Sequence, residues 1–360
     1  MLALGKNESS DRATARLRNA GWRMALLGCC LGVCGPTKIQ ADEPLTRFES
    51  TERHMGVPFK IILYAPDATT ANRAIRAAFE RVEALNRILS DYDPESELSR
   101  LSHASPTVEP IRLSEPLWTV LERSQALAER TGGAFDVTVG PYIRLWRRAR
   151  RTHEMPAADR LAEAKAAVGY RYLELDPAAR AARLLKPNMR LDLGGIAMGY
   201  AVDETIKLLR SRGMTRVLVD ASGDIAVGEP PPGKQGWEIE AVPLSADGTP
   251  SRRVLLRNAA ITTAGDAFQH VDIAGKRYSH IVDPRTGLGT TDSLGVTVIA
   301  PDCITADGLD TAICVLGVEA GLKLIRGTPG AEAFLVQPGA NGVETFASTG
   351  FAKFIESENR

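Results

Sequence analysis

The stretch RLDLGGIAMGYAVDETIKLLRSRGMTRVLVD, residues 190–220, decides the fold. It opens on a β-rich run at 190–193, turns at Gly194-Gly195, continues as a helix from Ile196 to Arg210, and closes on a second β-rich run at 216–220. Towards the N-terminus the pattern is mainly helical. A strand is predicted at 56–65, ended by Pro66-Asp67. Residues 72–89 then place Ile75, Phe79, Val82, Leu85 and Leu89 on one helical face. The polar segment 90–102 contains Pro94 and reads as a loop. A second amphipathic helix spans 113–130 and stops at Gly132-Gly133, and 142–151 and 157–167 read as two more. From Tyr170 onwards β-rich runs dominate, at 171–175, 181–186, 237–242, 253–257, 270–273, 277–282, 293–299, 332–337 and 342–347. Helices interrupt them at 196–210, 304–316 and 318–326. Helices first and strands afterwards predict an α+β unit with a largely antiparallel sheet, not a βαβ alternation. With no Pro/Ser-rich linker and no internal repeat, one compact unit is expected.

The chain has 360 residues, 44 Lys+Arg against 44 Asp+Glu, and 44% hydrophobic residues. That is enough for a large core and excludes a disordered chain. Balanced charge argues against a nucleic-acid partner, whose binders carry a basic excess. No apolar run reaches the roughly 18 residues of a membrane-spanning helix.

Arg12, Arg16, Arg18 and Arg23 precede a short apolar run from Met24 to Gly35, and Ala41 stands before Asp42-Glu43-Pro44. That order is a secretory leader over 1–41, cleaved after Ala41, followed by one domain over 42–360. Leu26-Leu27-Gly28-Cys29 also resembles a lipoprotein cleavage box, which would lipidate Cys29 and attach the chain to a membrane. Either route implies export, to the periplasm or to the outer side of the inner membrane. Loss of 1–41 removes six basic and two acidic residues, leaving 38 against 42, and takes Cys29, Cys30 and Cys34 with it. Cys303 and Cys314 then remain on one helical stretch and make no disulfide framework, so the fold rests on its core.

Several chemistries are excluded by missing motifs. There is no G-x-x-x-x-G-K-[ST], no G-x-G-x-x-G, no G-x-S-x-G and no H-E-x-x-H. Five His argue against a His-rich zinc site. The run Arg144-Leu-Trp-Arg-Arg-Ala-Arg-Arg151 reads as a solvated helix face, with an anionic partner as the alternative.

Four segments carry polar chemistry: Thr131-Gly-Gly-Ala-Phe-Asp-Val-Thr-Val-Gly-Pro141, Leu191-Asp-Leu-Gly-Gly-Ile-Ala-Met-Gly-Tyr200, Tyr278-Ser-His-Ile-Val-Asp-Pro-Arg-Thr-Gly287 and Thr305-Ala-Asp-Gly-Leu-Asp-Thr311. Glycines at a helix start let backbone N–H groups approach a phosphate. Asp307 and Thr311 lie at i and i+4 on one helical face, with Asp310 beside them, which makes a seat for Mg²⁺.

Together these segments resemble the ApbE-type flavin transferases (FAD:protein FMN transferases) from about Met55 to Gly317. The hallmarks occur in order: Met55-Gly56, Tyr92-x-Pro94-x-Ser96-Glu97-Leu98-Ser99, Thr131 to Asp136, Asp192 to Ala197, Val219-Asp-x-x-Gly-Asp224, His280-Ile-Val-Asp-Pro-Arg-Thr-Gly287 and Ala306-Asp-x-x-Asp-Thr311. The resemblance implies an ApbE-like, T-fold-like α+β unit with flanking helices. It implies Mg²⁺-dependent transfer of the FMN half of FAD to a Ser or Thr hydroxyl of an acceptor flavoprotein, releasing AMP. Carried over by motif, Gly195 (backbone carbonyl), Asp307, Asp310 and Thr311 would hold the metal. Met55, Tyr92, Ala134, Phe135, Asp136, Asp192, Met198 and Ile281 would contact FAD. His280 is the candidate general base, with Asp283 three residues on to orient it.

Two positions depart from the family pattern. Met198 stands where a charged residue is usual, and Thr263-Ala264-Gly265 lacks the family's central hydroxyl. An FAD pyrophosphate hydrolase and a non-catalytic exported FAD-binding protein remain alternative readings of the same residues.

Overall fold

Alternation along VPFKIILYA turns Phe59, Ile61 and Leu63 to one face of a strand and Ile62 to the other, so this strand is covered on both sides. In the computed structural model, which describes residues 44–241, 252–265, 269–339 and 342–355, it is part of an eight-stranded sheet. The leader read at 1–41, with Cys29, lies outside the described residues. The described residues all fall within one compact unit.

Numbered along the chain, the strands of this sheet are β1 (Thr46–His54), β2 (Val57–Ala65), β3 (Val217–Ala221), β4 (Asp224–Val227), β5 (Ala259–Ala264), β6 (Gly295–Ala300), β7 (Glu332–Gly339) and β8 (Gly342–Ala347). They lie side by side in that same order, and every pair is antiparallel. The α+β fold with a largely antiparallel sheet is therefore correct. Its topology is a continuous meander with long excursions between neighbours.

The excursions supply the covering layers. One face carries α1 (Ala68–Leu89), whose Ala71, Ile75, Phe79 and Val82 pack on Phe59, Ile61 and Leu63. Asp67 starts this helix by accepting from the Thr70 N–H at 2.9 Å. Between β2 and β3 the chain also forms α2 (Glu97–His103), α3 (Glu115–Arg130), α4 (Gly140–Thr152), α5 (Ala158–Ala166) and α6 (Ala197–Ser211). Val202, Ile206 and Leu209 of α6 join the same core, each burial contributing about 1.5–3 kcal/mol. Between β6 and β7 lie α7 (Cys303–Leu316), which packs on β5 and β6, and α8 (Val318–Arg326). The hairpin Trp237–Ala241/Arg252–Leu256 covers the other face, where Trp237, Ile239, Val254 and Leu256 meet Ile62, Leu218 and Phe334. Cys303 and Cys314 are buried on α7 and form no disulfide with each other.

Several elements differ from the sequence expectation, among them the sheet strands β4 and β5, where no β-rich run is predicted. Residues 190–193 form no ladder, and Arg190 makes one parallel bridge to Val139. The polar strand β1 pairs along its whole length with β2, an edge position where apolar alternation is not required. Helix α2 begins inside the polar segment read as a loop, because the Ser96 hydroxyl accepts from the Ser99 N–H at 3.0 Å and caps it.

Candidate active site

Helices α6 and α7 are laced to each other at their N-terminal ends. The Asp203 carboxylate of α6 accepts from the Cys303 and Ile304 N–H groups at 2.8 and 2.9 Å, which satisfies two orphan donors of α7. Asp302 caps the next, Thr305 N–H at 3.0 Å. In return Asp307 of α7 accepts from the Gly199 N–H of α6 at 2.8 Å. Only glycine fits at 199, since a Cβ there would lie 2.4 Å from the Cys303 carbonyl oxygen.

This lacing aims one face of α7 at the Gly194-Gly195 turn. A Cβ on Gly195 would stand 2.7 Å from the Thr311 hydroxyl, so the turn backbone and Thr311 are in direct apposition. Asp307 and Asp310 are 5% and 2% exposed. The Asp307 carboxyl is pushed well above the usual carboxylate range by burial, then by the charges of Asp224 and Asp310. Burial and Asp224 do the same to Asp310, against the pull of the Thr262 and Thr311 hydroxyls. Asp224, at the start of β4, is pushed up to about 7 by desolvation and by Asp220. Carboxylates this crowded hold either protons or a cation.

The donor set is hard oxygen throughout, which suits Mg²⁺. Among the described residues no three His, Cys, Asp or Glu side chains converge as a self-sufficient metal seat. Such a cation would therefore draw on Asp307, Asp310, the Thr311 hydroxyl and the Gly195 carbonyl, with phosphate oxygens completing its shell, as Mg²⁺ commonly does.

Gly195 and Thr311 form part of the wall of a cavity of about 270 Å³. Tyr92, Ala134, Phe135 and Asp136 line it, together with Asp192, His280 and Ile281. Five sequence candidates are not on this wall: Asp307 and Asp310, which are buried, and Met55, Met198 and Asp283. Met55 and Met198 pack against the core shared by α1 and β2, so Met198 makes no polar contact here and fills hydrophobic space instead. Asp283 does not orient His280. Both of its oxygens accept from the Arg285 guanidinium at 2.9 Å, and the His280 Nδ1 lies 3.0 Å from the Gln269 carbonyl. A carbonyl only accepts, so Nδ1 carries a proton in this contact.

Asp136 is 6% exposed and its Oδ1 accepts from both the backbone N–H and hydroxyl of Thr138, at 2.8 and 2.7 Å. One of its oxygens is thus spent on shaping the turn.

The arginine run of α4 is not simply a solvated face. Arg147 and Arg150 line the cavity. Arg147 donates to Asp91 at 2.5 Å and to Asp192 at 3.0 Å, and its guanidinium lies 4.1 Å from the centroid of the Tyr92 ring. Asp192 is pushed up to about 6 by burial first and by Asp91 second, against the Arg147 charge, while the Gly194 N–H donates to its Oδ1 at 3.0 Å. Arg147, Asp224 and Asp203 were not singled out as site residues by the sequence. A helical count from the buried Tyr142, Trp146 and Ala149 puts 143, 147 and 150 on a neighbouring, inward-leaning stripe, a signal that was available for Arg147.

The chain matches the ApbE family over residues 55–335. It is 31% identical over 347 residues to an FAD:protein FMN transferase of Klebsiella pneumoniae, covering 94% of this chain and 98% of that one. It is 33% identical over 291 residues to that of Haemophilus influenzae, covering 78% and 84%. The fold is similar to the flavin transferase ApbE from Vibrio cholerae, with a TM-score of 0.78 at 28% identity over 87% of this chain and 100% of that chain. The apo flavinyl transferase ApbE of Pseudomonas stutzeri gives 0.76 at 27% identity over 86% and 97%.

Proposed function

The chain belongs to the ApbE family and is an FAD:protein FMN transferase, and we propose that it uses Mg²⁺ to move FMN from FAD to a Ser or Thr hydroxyl of an exported acceptor protein, releasing AMP. One observation carries this reading: Gly195 and Thr311, the surface of the acidic cluster, share a cavity wall with His280.

FAD would lie with its flavin along Tyr92, Phe135 and Ile281. Asp192 accepts hydrogen bonds from the bound nucleotide, and Arg147 keeps that carboxylate in place. A bound Mg²⁺ supplies charge neutralisation on the pyrophosphate and the leaving phosphate. His280 Nε2 takes the proton of the acceptor hydroxyl. That oxygen bonds to the FMN-side phosphorus, the bond to the AMP phosphate breaks, and AMP leaves with the electron pair. Gln269 holds the imidazole in the tautomer this requires. The leader read in the sequence supports action outside the cytoplasm, free or lipidated at Cys29. Among the described residues no helix is long and apolar enough to cross a membrane.

Intact mass of an acceptor domain incubated with residues 42–360, FAD and Mg²⁺ tests the proposal. The expected result is a gain of one FMN with matching AMP. AMP without a mass gain would favour the hydrolase, and bound FAD without either would favour the non-catalytic binder.

A further inference from the structure

A second cavity, of about 290 Å³, shares Asp91, Tyr92 and Arg147 with the flavin cavity, so the two adjoin at these residues. Arg144, Arg190 and His103 line it. Arg190 is brought there by its backbone: it bridges to Val139, and Gly140 admits its carbonyl so closely that a Cβ would lie 2.5 Å from the oxygen. Arg144 sits one turn along the helix that this contact begins. The two guanidiniums repel each other. Burial first and Arg144 second make Arg190 easier to deprotonate than an ordinary arginine. Neither Arg144 nor Arg190 has a carboxylate partner among the described residues, and the nearby Asp91 is already engaged by Arg147. Arg148 and Arg151 continue the exposed face from Arg144 at helical spacing and likewise lack carboxylate partners among the described residues. In a chain with equal numbers of acids and bases, this concentration of positive charge is local.

We propose that the Arg144–Arg190 cavity and the arginine stripe of α4 form the docking site for an acidic segment of the acceptor protein, seating one of its carboxylates beside the flavin cavity. Paired forks favour carboxylate or phosphate oxygens. The stripe extends well beyond the cavity, which matches an extended chain carrying several carboxylates better than a lone ion. Contact at the shared Tyr92–Arg147 wall brings that chain to the cavity in which its hydroxyl must react. Such charge would speed encounter and select partners more than it would deepen affinity. The inference rests on the transferase reading, since that reading is what requires a protein to park here.

The test uses the FAD-loaded protein and two labelled peptides, each with one central Thr, one carrying several Asp and Glu and the other their Asn and Gln equivalents. Fluorescence anisotropy is expected to show the acidic peptide binding about tenfold tighter at roughly 50 mM salt, with the advantage shrinking at roughly 300 mM. Arg144→Glu/Arg190→Glu should abolish the preference while FAD affinity, read by flavin fluorescence, stays unchanged. Arg148→Glu/Arg151→Glu, on the exposed surface where folding is not at risk, should weaken it about threefold. Equal binding of the two peptides, or a preference that survives both double variants, overturns the proposal. So does saturable binding of inorganic phosphate, or of phosphatidylglycerol vesicles, that the Arg144→Glu/Arg190→Glu change abolishes while the acidic peptide does not bind. Flavin transfer is read separately by mass, so its absence with the peptide preference intact counts against the transferase reading and not against the docking site.

Discussion

Behind the Gly195–Thr311 wall Asp307 and Asp310 are 5% and 2% exposed, whereas across the cavity Tyr92 is 76% exposed with Arg147 over its ring. The first region gathers like charges in the interior and holds them by backbone hydrogen bonds between two helices. The second pairs opposite charges near water, with Arg147 bridging Asp91 and Asp192. Like charges in a dry site are unstable without protons or a cation, so that region is poised to bind one. The open region holds two carboxylates on one guanidinium, and it presents the Tyr92 ring as a stacking surface. On the proposed reading, chemistry and recognition are divided between these two walls, whose electrostatic logic is opposite.

The sharpest way to break this contrast is Asp307→Asn. Asparagine still accepts from the Gly199 N–H, so the α6–α7 lacing survives while a carboxylate is lost. Transfer should fall about a thousandfold, with a raised Mg²⁺ requirement in a metal titration. An unchanged rate would mean the acidic cluster is structural only. His280→Ala should slow transfer by roughly 10²-fold or more while FAD still binds, and single-turnover mass measurements check it. On the recognition side, Arg147→Gln leaves Asp91 and Asp192 facing each other without their cation. FAD should bind about tenfold more weakly and the fold should lose about 1–3 kcal/mol, measured by flavin titration and thermal melts. If the rate at saturating FAD dropped as much as in Asp307→Asn, the division between the walls would not hold.

The smallest effect is on pH dependence. Asp203 titrates at about 7 in the fold, raised by burial, against the ordinary 3.8. The folded state therefore holds the extra proton between these values, and this group's contribution to stability falls as pH rises from about 4 to about 7. Asp203→Asn cannot titrate. It loses one of two backbone acceptors, so it should melt below the parent at pH 4, by about 1 kcal/mol, and the gap should close towards pH 7. Parallel melting curves would refute the assignment.

Much of this architecture was legible locally. The apolar stripe of α1 and the bounds of α8 and β8 follow from periodicity, because each depends on neighbours three or four, or two, residues away. Strand β1 was not legible, since an edge strand with a polar pattern is held by its pairing to β2. Nor was α2, where one cap at Ser96 outweighs a polar, Pro-containing context. In the site, Asp307 and Thr311 could be put on one face from their spacing. Met198 and Asp283 could not be placed, because a core contact and a competing arginine decide what they touch.

The sequence by itself determined the family, the α+β class and the helix that carries the acidic cluster, all of which rest on short-range patterns. Only the tertiary structure decided that Arg147 turns inward and that Arg144 and Arg190 meet without a carboxylate partner among the described residues. It also decided that Asp203 and Asp307 lace two helices through contacts 100 to 108 residues apart. The reason is physical: periodicity is set by a residue's chain neighbours, whereas the charge state and partner of a side chain depend on the burial and the groups that distant segments bring to it.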